Sequence, residues 1–526
     1  MPLAHAQDND IGVPSGAGWQ DPRRRVSVRG RAAGLVLVTL ALGTWNLGDW
    51  AVLTPDSFAY LRAARSILET GGLAPERLIA PPGFPLLIAP FMAFGDRPFF
   101  AIRVLLLVGW AAAGVLTYLL YRRDLGEGLG WTAGLLVAAH VDLMLQSATV
   151  LTEMVYLPLS LAALLVYAGW RRRVELGMAG VMAGALLTVC PLMIRSLGLM
   201  LVPVGVLVLL SRRTALLRTR IVHASAFSAC VLAAALAWNW RESRYPPRNS
   251  YGRTLTQARS SERSDTGGAA LQFERLLRFG PKRLDAIKAV TLPRRIGWRL
   301  FTPPLAGWVT WCVGGFIVLL LAARVVLHRA PSDAYALLVL LLLAVWPYEE
   351  GLRLVLPLLP IFGGSLLWAV HLCRKAAGRR RLLRAVPAGL LALFLLAEAA
   401  EVGLALSHFD EIRHKADDRN RDMRNMAAWL GADANGPRTW VGITRDGDNS
   451  KLTLLGGAYL ARRTIQTIDV RPGESLPNNL GGADGALVHR SLTESARAEW
   501  GGTPSDRVGA FDVFLPTVRV SHRRAR

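Results

Sequence analysis

The sequence predicts a mainly α, polytopic membrane protein of about 11 transmembrane helices, followed by a small C-terminal extracytoplasmic α/β domain. Three observations lead to this prediction. Long apolar runs recur throughout residues 32–406, and alternate segments between them are short and rich in arginine. Beyond residue 407, strand-like and helix-like segments alternate. Short basic loops are typical of the cytoplasmic side of a membrane, so the pattern predicts orientation as well as fold.

The composition argues against several classes of soluble protein. Of the 526 residues, 52% are hydrophobic, and the formal net charge is +23 at pH 7. In a soluble protein this charge would indicate nucleic-acid binding. Here much of the arginine lies in short loops between apolar runs, so we expect no nucleic-acid partner. The four cysteines lie in or beside apolar runs, which argues against a disulfide framework and a zinc site.

The predicted spans alternate in direction along the chain. Residues 1–31 are predicted to be a disordered cytoplasmic tail, and the first span after it is interpreted as an uncleaved signal-anchor. We place the spans at residues 32–53, 98–121, 129–145, 150–170, 176–194, 196–210, 221–240, 300–327, 334–346, 352–372 and 382–406. The loops at residues 54–97 and 241–298 and the domain at residues 407–526 then lie outside.

A helix is predicted directly after the first span. Thr54 is suited to cap it, Asp56 falls in its first turn, and Gly71 follows its last turn. One face of this helix is apolar, with Tyr60, Leu61, Ala64, Ile67 and Leu68. We therefore expect it to lie on the membrane surface. Asp56 either serves only the helix start and its dipole or is a functional carboxylate.

The predicted C-terminal domain carries no nucleotide-binding glycine motif. Its strands are expected at residues 439–443, 465–470, 486–489 and 510–515. Helices are expected at residues 422–430 and 493–500. This alternation favours a small α/β domain, but no chemistry can be assigned to it.

Charged residues are predicted to collect near the outer ends of the spans, where charge is costly and usually functional. They are Asp56, Asp142, Glu153, Arg195, Glu349, Glu350 and Arg353. Glu153 and Arg195 lie beside or within apolar helices, so they form either a buried ion pair or part of an outward-facing cavity. The arginines of residues 241–298 form either a solvated, headgroup-facing loop or a clamp for phosphate.

Four stretches together resemble a known superfamily. They are Asp56-Ser57-Phe58-Ala59-Tyr60, Pro81-Pro82-Gly83-Phe84-Pro85-Leu86-Leu87, Thr152-Glu153, and Tyr348-Glu349-Glu350-Gly351-Leu352-Arg353. In this order and at these membrane positions, they resemble the GT-C integral-membrane glycosyltransferases. The most similar branch contains protein O-mannosyltransferases and bacterial aminoarabinose transferases (glycosyltransferase family 39-like). The resemblance covers residues 34–372.

The resemblance implies a polyprenyl-phosphate-linked sugar donor and a lipid, glycan or protein acceptor at the outer face of a bacterial inner membrane. It places the catalytic carboxylate in the first outer loop, which here is Asp56. Protein mannosyltransferases typically carry Asp-Glu where this chain has Asp-Ser, which disfavours a protein acceptor. The residues expected to bind substrate are Tyr60, Arg62, Asp142, Glu153, Arg195, Tyr348, Glu349, Glu350 and Arg353.

One essential carboxylate suits this reaction. Polyprenyl phosphate is a good leaving group that needs charge stabilisation, whereas a glycosidase needs two carboxylates. The acceptor hydroxyl needs a base, the role expected of Asp56, and direct displacement inverts the anomeric carbon. Arginine would hold the phosphate with no cofactor required, although a divalent ion bound by Asp56 and a second acid is an alternative.

Two other functions remain open on the sequence. A transporter or flippase of a lipid-linked cell-envelope precursor would also need a charged outer cavity, but it would need no base. An assembly protein acting through the C-terminal domain would need neither Asp56 nor Arg353.

Overall fold

The computed structural model describes the chain in separate stretches. These are residues 22–47, 53–73, 81–94, 99–172, 175–212, 215–244, 268–292, 303–346, 351–376 and 381–408, residues 411 and 414, and five strands between residues 439 and 514. The helices are α1 (Pro22–Gly43), α2 (Pro55–Thr70), α3 (Gly83–Ile88), α4 (Phe99–Ala138), α5 (Val141–Gln146), α6 (Glu153–Arg172), α7 (Met178–Ile194), α8 (Leu201–Leu210), α9 (Leu217–Ser243), α10 (Gly268–Thr291), α11 (Pro303–His328), α12 (Pro331–Ala344), α13 (Leu359–Ala376) and α14 (Arg381–Ser407). Short 3₁₀ turns occupy Thr44–Asn46, Ala89–Phe94, Ser196–Met200, Gly351–Leu354 and Leu356–Leu358.

Several helices have the length and apolar composition needed to cross a membrane. In the described part of the chain, five segments qualify on these two criteria: Phe99–Ala138, Glu153–Arg171, Leu217–Ser243, Trp311–His328 and Leu352–Ala376. Four shorter apolar helical segments accompany them: Gly83–Phe94, Met178–Ile194, Ser196–Leu210 and Pro331–Ala344. The count of about 11 spans therefore stays a prediction.

Helix α4 is a hairpin of two antiparallel helices. Its backbone leaves the helical conformation at Gly126, which has φ 83° and ψ 169°. The indole N–H of Trp110 donates to the carbonyl oxygen of Val137 at 2.8 Å, although the two residues are 27 positions apart. A straight helix would separate them by about 40 Å. The hairpin matches the prediction of two spans separated by a tight turn.

Two predicted boundaries differ from the structure. The third span was expected to reach residue 145, but the helix ends at Ala138 and α5 starts after His140. The ring Nδ1 of His140 accepts the backbone N–H of Asp142 at 3.2 Å, which caps the new helix. The tenth predicted span begins with 3₁₀ turns, because Pro357 supplies no N–H for an α-helical bond there.

Contacts at one end of the bundle agree with the predicted grouping of the basic loops. The Nη1 atom of Arg31 pairs with Oε2 of Glu127 at 2.6 Å. The Nη1 atom of Arg171 donates to the carbonyl oxygen of Arg329 at 2.7 Å. Each contact joins two segments that the loop pattern assigns to the cytoplasmic side. Which end faces the cytoplasm is a prediction from the arginine-rich loops.

The segment at residues 241–298 contains a helix that the sequence reading did not anticipate. Helix α10 buries Leu271, Phe279 and Ile287, whereas Phe273 and Leu277 are exposed. It packs against α11, α12 and the 3₁₀ turn Gly351–Leu354. The segment predicted to be an outer loop is therefore in part a packed element of the helical domain.

The described C-terminal residues form one mixed sheet. Its strands are β1 (Thr439–Arg445), β2 (Thr464–Val470), β3 (Gly485–His489), β4 (Asp506–Val508) and β5 (Phe511–Phe514), in the order β2-β1-β3-β5-β4. Strand β1 pairs in parallel with β2 and β3, whereas β5 pairs antiparallel with β3 and β4. The four predicted strands are present, and the three-residue β4 is additional. The helices predicted at residues 422–430 and 493–500 lie outside the described residues, so the α/β domain stays a prediction.

Candidate active site

Four of the charged residues singled out in the sequence form one connected cluster. Arg353 donates from Nη1 to Oδ2 of Asp56 and from Nε to Oε1 of Glu153. Arg195 donates from Nη1 to the same Oε1 of Glu153 and also contacts Oγ1 of Thr152 at 3.4 Å. The charges alternate along this chain of contacts and sum to zero. We call Asp56, Glu153, Arg195 and Arg353 the charge cluster.

The cluster forms because each of its residues lies where a helix begins or ends. Asp56 is in the first turn of α2, and Glu153 is the first residue of α6. Arg195 directly follows α7 in an extended conformation, and Arg353 lies in a 3₁₀ turn that precedes α13. Both carboxylates thus lie at helix N-termini, where the helix dipole favours negative charge. Since α6 and α7 are consecutive and packed together, the start of one meets the end of the other.

Asp56 does not cap its helix. The Oγ1 atom of Thr54 accepts the backbone N–H of Ser57 at 3.2 Å, and Oγ of Ser57 accepts the N–H of Thr54 at 3.0 Å. This reciprocal capping box satisfies the helix start without the carboxylate. The side chain of Asp56 is 45% exposed, whereas that of Glu153 is 1% exposed. Asp56 is therefore the accessible acid of the charge cluster, and Glu153 is the buried one.

The capping box also accounts for the Asp-Ser sequence. Ser57 is fully buried and occupies the third helical position, which Glu or Gln fills in the commonest capping box. A change from Glu to Ser at this position alters the cap of α2. The Asp-Ser pair is therefore weaker support for a non-protein acceptor than the sequence resemblance suggests.

Close backbone packing fixes two members of the charge cluster. A Cβ atom on Gly109 of α4 would lie 2.1 Å from the carbonyl oxygen of Met154, next to Glu153. A Cβ atom on Gly83 would lie 2.6 Å from the carbonyl oxygen of Met193, near Arg195. Only glycine allows either approach. Gly83 belongs to the Pro-Pro-Gly-Phe-Pro stretch, whose contribution is to seat α3 against the end of α7.

Tyr60 lies against the charge cluster, one helical turn after Asp56. Its ring packs edge-on against Phe84 of the same Pro-Pro-Gly-Phe-Pro stretch, with ring centroids 5.2 Å apart. Burial and the nearby charge of Asp56 raise the pKa of the Tyr60 phenol above its ordinary value. The phenol therefore stays protonated at neutral pH. Its hydroxyl makes no hydrogen bond with the residues that the structure describes.

The guanidinium of Arg353 also keeps donor capacity. Its Nη2 atom makes no hydrogen bond within the described stretches, and the side chain is 20% exposed. Together with the hydroxyl of Tyr60, it offers N–H and O–H donors beside an accessible carboxylate. Such a set suits an anion that carries a reactive centre next to a base.

Other predicted site residues lie elsewhere or outside the described stretches. Asp142 is buried in α5, and its charge acts on Glu398 of α14. Arg62 is exposed on α2. The predicted substrate-binding residues Tyr348, Glu349 and Glu350 lie outside the described residues.

A phosphate clamp was predicted from the arginines of residues 241–298, of which the structure describes residues 241–244 and 268–292. Arg241 contacts Glu242 and lies over Trp238, and Arg244 stacks on Trp240 at 3.7 Å. The arginines of residues 245–267 lie outside the described residues. A phosphate clamp from this loop stays a prediction.

Sequence reasoning missed Arg283. This buried residue of α10 donates from Nε to the carbonyl oxygen of Leu343 at 3.0 Å and from Nη2 to that of Trp346 at 3.2 Å. It thereby satisfies one carbonyl group in the last turn of α12 and one just beyond that helix, seven residues before Arg353. Its position between Phe279 and Ile287 on the buried face of an amphipathic segment would have been the signal.

The described residues contain no group of three or more His, Cys, Asp or Glu side chains placed to hold a metal ion. In the charge cluster, the Arg353 guanidinium occupies the space between the carboxylates of Asp56 and Glu153. Two carboxylates already joined by an arginine are a poor fit for a divalent ion. All four cysteines are free thiols.

Comparison with solved structures identifies the fold. ArnT from Cupriavidus metallidurans bound to undecaprenyl phosphate aligns with a TM-score of 0.55 and 12% identity, over 93% of this chain and 98% of that one. Its apo state aligns with a TM-score of 0.54. The fold is GT-C-like.

A second match supports the same fold. The Archaeoglobus fulgidus oligosaccharyltransferase AglB, in complex with an inhibitory peptide and a dolichol-phosphate, aligns with a TM-score of 0.53 and 12% identity. The alignment covers 95% of this chain and 75% of that one. No protein-family model matches the sequence, and neither does any curated protein. The chain is thus a multi-pass membrane protein of GT-C-like fold.

Proposed function

We propose that the protein is an inverting glycosyltransferase with Asp56 as its general base. It moves a sugar from a polyprenyl-phosphate-linked donor to an acceptor at the outer face of a bacterial inner membrane. The supporting observation is the exposure and the set of contacts of the Asp56 side chain. Its carboxylate is half exposed, is not needed for the helix cap and contacts Arg353.

The donor class is proposed from chemistry and from the fold. A phosphodiester carries one negative charge and oxygens that suit the N–H groups of Arg353 and the O–H of Tyr60. The structural neighbours were solved with undecaprenyl phosphate and with dolichol-phosphate, which are carrier lipids of this type. The remaining predicted substrate-binding residues are Arg62, Asp142, Tyr348, Glu349 and Glu350.

The proposed reaction needs one proton transfer and one displacement. Oδ1 of Asp56, which makes no hydrogen bond with the described residues, accepts the proton of the acceptor hydroxyl as the hydroxyl oxygen attacks the anomeric carbon. The bond from that carbon to the phosphate oxygen breaks, and its electron pair leaves with the phosphate. Arg353 and Arg195 stabilise the charge that develops there. Glu153 accepts hydrogen bonds from both guanidinium groups and holds them in place.

The acceptor is proposed to be a lipid, glycan or protein at the outer face, and membrane lipids surround the helices. The outer location is proposed from the arginine-rich loops, which are typical of the cytoplasmic side. A lipid-linked donor suits that location, because nucleotide-sugars are cytoplasmic and a lipid carrier can bring the sugar across the membrane. The predicted domain boundaries at residues 31 and 406 belong to the same proposal.

The decisive experiment measures sugar transfer by the purified full-length protein. Undecaprenyl-phosphate-linked sugars are supplied with an extract of envelope acceptors, and release of undecaprenyl phosphate is followed by mass spectrometry. Asp56→Asn should lower the rate by roughly 10²–10⁴-fold, the usual contribution of a general base. The thermal midpoint should change little, because the capping box does not use Asp56. Asp285→Asn, an exposed change on α10, is the matched control.

Each alternative function predicts a different result. Near-normal transfer by folded Asp56→Asn protein would refute the role of Asp56 as base. A transporter or flippase would show no release of undecaprenyl phosphate even as wild type, but would move the lipid between leaflets of a vesicle.

A further inference from the structure

The guanidinium of Arg353 is shared between two acids in an unequal way. Its Nε edge contacts Glu153, which is fully buried and also held by Arg195. Its Nη1 atom contacts Asp56, which is half exposed. The Nη2 atom has no partner in the described stretches. The Nε edge of the guanidinium is therefore held by a buried acid, whereas Nη1 is held by an accessible one.

The proposed reaction changes the charge on both sides of these nitrogens. Before transfer, Asp56 carries one negative charge and the donor phosphodiester carries another. After transfer, Asp56 holds the acceptor proton and is neutral, while the carrier phosphate is a monoester whose charge approaches −2. The total charge is conserved, but one negative charge has moved from Asp56 to the phosphate. After transfer, the phosphate is therefore a stronger anionic acceptor for the terminal nitrogens of Arg353 than Asp56 is.

We propose that Arg353 changes partner during the reaction, releasing Asp56 as it becomes protonated and binding the departing phosphate instead. This inference rests on the proposed function. The Nε contact with Glu153 persists throughout and serves as the pivot. A small rotation suffices, because the two acids already lie on different edges of one planar group.

This arrangement couples the base to the leaving group. While Asp56 is charged, it competes with the phosphate for the terminal nitrogens of Arg353. When Asp56 takes up a proton, the competition ends and the leaving group gains a charge-assisted contact. Stabilisation thus increases as charge develops, which is the requirement for lowering the barrier rather than tightening substrate binding.

The inference makes a prediction about binding alone. Asp56→Asn mimics the neutral acid, so it should bind undecaprenyl phosphate more tightly than wild type. We expect a dissociation constant about tenfold lower, since a hydrogen bond to a charged group is worth about that factor or more. Arg353→Met should weaken binding. In the Arg353→Met background, Asp56→Asn should bring no further gain.

The experiment is a double-mutant cycle with full-length protein in detergent and undecaprenyl phosphate as the probe. Asp285→Asn changes the net charge equally without touching the charge cluster and should leave binding unchanged. Asp56→Ser is a second neutral variant, and thermal unfolding confirms that each protein is folded. Equal affinity of wild type and Asp56→Asn would overturn the proposal, and so would an unchanged gain when Arg353 is replaced. Absence of sugar transfer by wild type would refute the proposed function but would leave this binding result intact.

Discussion

Gly109 of α4 faces the carbonyl oxygen of Met154 in the first turn of α6, where a Cβ atom would lie only 2.1 Å from that oxygen. Met154 follows Glu153, whose carboxylate joins Arg195 to Arg353. The geometry of the charge cluster therefore depends on a backbone contact outside it.

Gly109→Ala should displace the start of α6 and lower sugar transfer by about 10²-fold, the usual effect of misplacing a catalytic group by about 1 Å. Overpacking should also cost about 1–3 kcal/mol of stability. Transfer rate and thermal midpoint are measured together. Gly169→Ala in the same helix α6 is the matched control, since a Cβ atom there meets nothing within 4 Å. Unchanged transfer by Gly109→Ala would contradict the argument.

Chelation of divalent ions should leave transfer unchanged, because Arg353 already neutralises the space between Asp56 and Glu153. The measurement compares initial rates in EDTA with rates after adding Mg²⁺, Mn²⁺ or Zn²⁺. A loss of activity in EDTA that any of these ions restores would show that the carboxylates bind a metal.

A second buried ion pair should contribute to stability. The side chains of Arg324 and Asp333 are almost fully buried, with Nε and Oδ1 3.2 Å apart. Ser332 and Ser365 donate to the carboxylate at 2.8 and 2.6 Å. Asp333→Leu alone should cost about 3–5 kcal/mol, because it leaves a buried charge without its partner.

The double variant Arg324→Met/Asp333→Leu should recover much of that loss, since no charge then remains to be desolvated. Both proteins are compared by their midpoints of unfolding in increasing SDS. If the double variant is as unstable as Asp333→Leu, the loss of stability comes from the lost contacts of the pair and not from an unpaired buried charge.

Arg329 occupies a turn in which glycine should be more stable than alanine. It follows α11 with φ 49°, a left-handed conformation that side chains rarely adopt, and its N–H donates to Val325 O at 2.9 Å. Glycine is the usual residue at this position after a helix. Arg329→Gly should stabilise by about 0.5–1 kcal/mol relative to Arg329→Ala in thermal unfolding. Equal midpoints would show that the turn carries no strain.

Membrane orientation can be tested with reporter fusions. Alkaline phosphatase fused after residue 408 should be active, and green fluorescent protein at the same place should be dark, because the domain at residues 407–526 is predicted to lie outside. The reverse pattern would place the charge cluster on the cytoplasmic side and exclude the proposed donor geometry.

The residues of the charge cluster could be selected from the sequence because charge at the end of an apolar helix is costly. The rule selected Asp56, Glu153, Arg195 and Arg353, and the structure joins all four. It also selected Asp142, whose charge acts on Glu398 of α14. Loop parity assigns residues to one face of the membrane but gives no position within that face.

The pairing of Arg324 with Asp333 was missed for a different reason. Arg324 lies inside the predicted eighth span and Asp333 just before the ninth, so the same cost argument applies to both. Loop parity places both residues near the cytoplasmic ends of their spans, away from the predicted outer site. The helix α10 escaped notice because its apolar residues are separated by arginines and lysines, which read as a polar loop. Its packing partners are distant in sequence, and local pattern does not reveal them.

The charge cluster draws its members from four segments spread over 297 residues, from Asp56 to Arg353. During synthesis the ribosome therefore releases the acid long before the arginine that pairs with it. Glu153 and Arg195 emerge 42 residues apart and can join early. A nascent chain that stops before residue 353 holds the carboxylate of Asp56 without its partner Arg353, so a product truncated there lacks a complete charge cluster. Completion of the charge cluster therefore waits until about two thirds of the 526 residues have been synthesised.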